Sequence, residues 1–105
     1  MNTIKFTVRK VIDYLIEHGE VYTIRKTRPV GYADIYFYDE LVAMGLVGYV
    51  RDVHSPDDLK KYVEKSGFDN EVEWFSEAVR LHKTINSLKL YHVVILEWID
   101  RKAKR

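Results

Sequence analysis

The segment at positions 87–99, SLKLYHVVILEWI, constrains the fold more than any other stretch of the chain. Side chains of a strand point alternately to opposite faces, so a strand with one wet face alternates apolar and polar residues. The run from Val93 to Leu96 is apolar at four consecutive positions and therefore predicts a strand in the middle of a sheet. Such a strand needs neighbours on both sides. The segments VYTIRK, ADIYFY and LVGYVRDV supply them, each rich in β-branched and aromatic residues. RPVGY reads as a turn, with Pro29 fixing φ and Gly31 free to take a left-handed conformation. DELVAMG is read as a hairpin connection rather than a helical turn, and Gly48 as the place where another backbone comes close.

Helices account for the rest. In TVRKVIDYLIEHG, residues Val8, Val11, Ile12, Leu15 and Ile16 recur at helical spacing, with Thr7 as cap and Gly19 as stop. SPDDLKKYVEKSG carries a helix grammar: Ser55 as cap, Pro56 at the first position, Asp58 three residues after the cap and Gly67 as stop. NEVEWFSEAVRLHK follows, with Asn70 and Glu73 as a capping box and Val72, Phe75, Val79 and His82 on one face. The order α-β-β-β-α-α-β predicts an α+β fold: a small curved sheet or barrel with helices at its sides. Val21 or Ile24 should be buried with Ile35, Phe37, Val50 and Val94, under Val11, Ile12, Leu15 and Val63. One domain over 1–100 and a basic tail over 101–105 are expected.

The 105 residues include no cysteine, which excludes disulfide scaffolds, thiolate zinc sites and cysteine nucleophiles. Four histidines, at 18, 54, 82 and 92, show no metal-ligand spacing, and no metal or other cofactor is expected. The serines lack a nucleophile elbow. No apolar run reaches the ~18 residues of a membrane span, and the first residues have no apolar h-region, so a cytoplasmic location is expected and no membrane partner. Net charge is +1 but unevenly spread: +1 over 1–51, −4 over 52–100 and +4 in RKAKR. That pattern favours a localised anion site over a general polyanion coat.

The localised site falls at TIRKTRP. Strand alternation places Thr23 and Arg25 on one face, and Lys26 and Arg28 follow at the turn. A hydroxyl ringed by cations suits a phosphate or a carboxylate, because a guanidinium presents a fixed fork of donors. Tyr36 and Tyr38 fall on one face of the next strand and are candidates for stacking a base.

In order along the chain, IKF, a helix, HGEVYTIRK, RPVGYADIYFY, LVGYVRDV, KSGFDNEVEW and LYHVVILEW resemble an ASCH domain of the PUA-like superfamily. The resemblance implies a PUA-like pseudobarrel of about five strands flanked by helices. It also implies binding of RNA or a nucleotide-like ligand in a cleft near Thr23 and Arg25. In that family a Gly-x-Lys-x-x-Glu/Thr-x-Arg pattern follows the first helix, and hydrolytic members use a lysine three residues before the threonine. Here that position is Glu20, and the later carboxylate position is Ser66, with Glu64 nearby. A threonine without an adjacent base is a poor nucleophile. The expectation is therefore binding by Thr23, Arg25, Lys26 and Arg28 without catalysis. The alternatives are a hydrolase of modified nucleosides such as N4-acetylcytidine, a ribonuclease using Lys5 or Glu64, or a protein-interaction module.

Overall fold

A computed structural model describes residues 2–99. The elements are β1 (Thr3–Phe6), α1 (Arg9–His18), β2 (Glu20–Arg25), β3 (Gly31–Phe37), β4 (Glu40–Val53), α2 (Glu71–His82) and β5 (Leu88–Trp98). The five strands make one curled half-barrel sheet in the order β1-β3-β4-β5-β2. β1 runs parallel to β3, and all other neighbours are antiparallel. The architecture is α+β, and β5 is an interior strand as its apolar run requires. A β3–β4 hairpin is present, but its connection is only Tyr38–Asp39: the rest of DELVAMG, from Glu40, is the first part of β4, and the strands pair from Gly31↔Val47 to Phe37↔Glu40. Among the described residues no helix is long and apolar enough to cross a membrane.

The core has two halves. Ile4, Phe6, Val11, Ile12, Leu15, Val21, Ile35, Val47 and Val93 lie between the concave sheet and α1. Ile24, Val53, Leu59, Trp74, Ala78, Leu88 and Leu90 lie under α2. Val21, Ile24, Ile35, Val11, Ile12 and Leu15 are buried as expected, while Phe37, Val50, Val63 and Val94 are partly buried.

Five other local expectations are corrected. The chain opens with a strand, β1, absent from the predicted order; at four residues, TIKF is too short for periodicity to reveal it. The N-cap of α1 is Val8, whose carbonyl accepts from Val11 and Ile12 N–H at 3.1 and 3.2 Å, while the Thr7 carbonyl accepts from the Tyr38 hydroxyl at 3.1 Å. Thr7 is therefore not the cap. The stretch 55–67 forms two short 3₁₀ turns, Pro56–Leu59 and Val63–Lys65, instead of one α-helix. Asp58 does turn back, accepting from the His54 and Ser55 N–H groups at 2.8 and 3.3 Å. Leu59 is the one fully buried apolar side chain of this stretch, too little apolar burial to offset nucleation of a longer helix.

α2 keeps its cap, Asn70 accepting from Glu73 N–H at 2.8 Å, but its buried face is Trp74 and Ala78. Val72 is 58% exposed, so the helix is rotated from the face predicted for it. The close approach assigned to Gly48 occurs at Gly45 instead. A Cβ on Gly45 would stand 2.5 Å from the Val94 carbonyl oxygen, whereas one on Gly48 would meet nothing within 4 Å.

Candidate anion-binding cleft at the sheet seam

β1 and β2 are the two edges of the curled sheet, and the cationic stretch lies where these edges face each other. The Asn2 and Phe6 carbonyls accept from Asp34 and Tyr38 N–H, both at 2.9 Å, so they point toward β3. By alternation the Thr3 and Lys5 carbonyls point to the open edge. Arg25 Nη1 donates to the Lys5 carbonyl at 2.7 Å, and Arg28 Nη2 donates to the Thr3 carbonyl and to Asn2 Oδ1 at 2.9 Å. Two guanidinium groups thus bridge the seam that backbone pairing leaves open. The Arg28 N–H donates to the Tyr91 hydroxyl at 3.0 Å and ties the same loop to β5.

Thr23 and Arg25 share a face, as alternation predicts, and Arg25 Nε donates to Thr23 Oγ1 at 3.3 Å. The Arg25 guanidinium also lies 4.8 Å from the centre of the Phe6 ring. Burial, reinforced by the nearby Arg28 charge, lowers its pKa to about 10, which leaves it a cation at neutral pH. Burial lowers the Arg28 pKa as well. Among the described residues neither guanidinium has a carboxylate within 4.0 Å, and Arg28 Nε is buried without a partner.

A cleft of about 240 Å³ opens beside Arg25. Lys5, Phe6, Thr7, Val8 and Val11 line it from β1 and the start of α1; Thr23, Ile24 and Arg25 line it from β2. Phe68 and, from α2, Trp74, Glu77, Ala78, Leu81 and His82 complete the wall. Gly67 sets this geometry: its φ is +86°, and a Cβ there would lie 2.7 Å from the Lys10 carbonyl oxygen of α1. That contact brings Phe68 against both cores, where its ring stacks on Trp74 with centroids 6.3 Å apart.

Of the residues singled out in the sequence, the cleft brings together Thr23, Arg25 and Lys5. Arg28 sits at the seam with its donors turned to β1, and Lys26 is exposed just past the end of β2. Tyr36 and Tyr38 do not line the cleft, nor do they share a strand face: β3 ends at Phe37, and Tyr38 takes φ 53° in the turn. Glu64 is exposed on a 3₁₀ turn away from the lining. Glu20, at the position of the missing lysine, bonds His92 Nε2 at 2.8 Å and Lys65 at 3.2 Å. Ser66 is fully buried and structural, its hydroxyl donating to the Val63 carbonyl and accepting from Phe68 N–H. The RKAKR tail lies outside the described residues.

Sequence reasoning missed Phe6, Phe68, Trp74, Glu77 and, as a site residue, His82. The signal was the spacing 77, 78, 81, 82, which groups four residues on one facet of α2. His82 Nε2 lies 3.1 Å from the Ile24 carbonyl oxygen, and burial is the main cause lowering its pKa from the usual 6.5. Glu77 is held below the usual carboxylate range by Arg80, which bonds its two oxygens at 3.0 and 2.5 Å. Among the described residues no three His, Asp or Glu side chains gather as a metal site would require.

No family model matches the chain, and no solved structure matches it. A protein of Sulfolobus islandicus rod-shaped virus 1, described as "Uncharacterized protein 105", is 30% identical over 112 residues, spanning 95% of this chain and 96% of the viral one. At that identity over nearly the full length of both, the chain belongs to the same family as the viral protein.

Proposed function

We propose that the seam cleft binds a nucleotide-like ligand, or one unstacked nucleotide of an RNA, with its phosphate at Arg25. One observation carries this reading: a partly buried guanidinium on the cleft wall, beside a second one, with no carboxylate within 4.0 Å of either among the described residues. Burying a cation without a counter-charge is costly, and an arriving anion recovers that cost. Lys5 adds a second donor at the mouth, Thr23 a hydroxyl, and Phe6, Phe68 and Trp74 an apolar wall for a flat ring. Arg28 and Lys26 contribute field rather than contact. The cleft is smaller than the ~300–1,000 Å³ usual for drug-sized ligands, which suits one nucleotide better than a strand of bases.

The same reading places the fold among PUA-like pseudobarrels, specifically ASCH domains. Its support is the element order, the curled five-stranded sheet and the position of Thr23–Arg25 on the cleft wall. Hydrolysis finds less support than binding. The side-chain partner of the Thr23 hydroxyl is Arg25, a donor that cannot act as a base, and Glu20 is engaged elsewhere. No turnover of N4-acetylcytidine is expected.

The test is a titration of mononucleotides and short RNAs at two salt concentrations against the wild type and Arg25→Gln. Loss of one charge-assisted hydrogen bond, about 1.5–3 kcal/mol, predicts at least a tenfold weakening in Arg25→Gln. Equal affinity in a folded Arg25→Gln would overturn the proposal.

A further inference from the structure

The polar groups of the cleft divide by side. From the sheet come Lys5 and Arg25, side chains that only donate, and the Thr23 hydroxyl, which already accepts from Arg25 Nε; Thr7 adds a hydroxyl just past β1. From α2 come Glu77 and His82, on the facet that also holds the small Ala78. The two oxygens of Glu77 take the Arg80 fork, and an ionised carboxylate has further lone pairs but no proton to give. The tautomer of His82 follows from its partner. A carbonyl oxygen can only accept, so Nε2 carries the hydrogen shared with Ile24, and in the neutral ring Nδ1 is an acceptor.

We infer that Glu77 and His82 form a base-reading edge that selects nucleotides carrying an exocyclic amino group over those carrying an oxo group at the same position. This rests on the nucleotide reading above. A ligand whose phosphate meets Arg25 and whose ring lies on the aromatic wall has the α2 facet of Glu77 and His82 within the same cleft. An amino group there donates into the acceptors. A carbonyl there sets lone pair against lone pair and leaves only the neighbouring ring N–H to donate, so one of the two acceptors goes unpaired, which a site built on hydrogen bonds penalises. The burial that keeps His82 neutral keeps its acceptor available at neutral pH.

The experiment uses two nearly isosteric pairs, AMP with IMP and CMP with UMP, titrated into the wild type, Glu77→Gln, His82→Ala and Arg25→Gln. The expected result is at least tenfold tighter binding of AMP and CMP than of their oxo partners by the wild type. The gap should narrow in Glu77→Gln, whose amide can turn and donate, and in His82→Ala. If all four bind through Arg25 with no gap, the base-reading edge is refuted and the phosphate site stands. A gap that persists undiminished in both α2 variants refutes it too. If none of the four binds the wild type, both readings fall.

Discussion

Replacing Arg28 with methionine tests whether the cationic stretch closes the sheet. The substitution keeps most of the aliphatic stem and removes the donor that reaches the Thr3 carbonyl and Asn2 Oδ1. Two charge-assisted bonds contribute about 3–6 kcal/mol gross, at about 1.5–3 each. Against this stand the buried Nε without a partner, worth about 1–3 kcal/mol, and the repulsion between the two guanidinium groups. The Thr3 residue is exposed, so water can take over its carbonyl. The net loss is then about 1–3 kcal/mol, or near 10 °C in Tm at about 4–8 °C per kcal/mol for a domain of this size. Urea unfolding followed by circular dichroism measures the first figure. Hydrogen exchange gives the location: Asp34 and Tyr38 N–H, which donate to β1, should lose protection before the β4–β5 ladder does. An unchanged or raised midpoint with Asp34 and Tyr38 still protected would refute the seam.

Two further outcomes follow from the geometry. Gly45→Ala should cost about 3 kcal/mol by chemical denaturation, because its Cβ would stand 2.5 Å from backbone oxygen and 2.7 Å from Ile35 Cδ1; Gly48→Ala, in open space, should stay within about 0.5 kcal/mol. His82 adds a pH dependence: its folded pKa is depressed, so below about 6.5 the unfolded chain binds a proton that the folded one refuses. Its contribution is full above that pH and falls as the pH drops toward the folded value. Wild type should therefore lose stability faster than His82→Gln as the pH falls below about 6.5, as read from urea midpoints.

The strands and the hairpin were legible because each rests on a local, period-two pattern, and the VVIL run identified its own interior position. β1 was not, since four residues paired in parallel with a strand about 30 positions away leave no local trace. The pair Thr23 and Arg25 could be read from alternation alone. The partners of Arg28, Asn2 and Thr3, lie 26 and 25 positions away and became visible only once the sheet curled. Glu77 and His82 were hidden for a further reason. Their place on the cleft depends on how α2 rotates about Trp74 and Ala78, which is decided by packing against Ile24 and Leu90 rather than by the helix's own pattern.

Amide and indole chemical shifts of the ¹⁵N-labelled chain titrated with AMP report directly on an anion site in the seam cleft. Saturable shifts are expected at Thr23, Arg25, Phe68, Glu77, His82 and the Trp74 indole, with Tyr36 and Tyr38 unmoved, and Arg25→Gln should abolish them at the same ligand concentration. Shifts confined to residues outside the cleft, or the same saturation in Arg25→Gln, would contradict it.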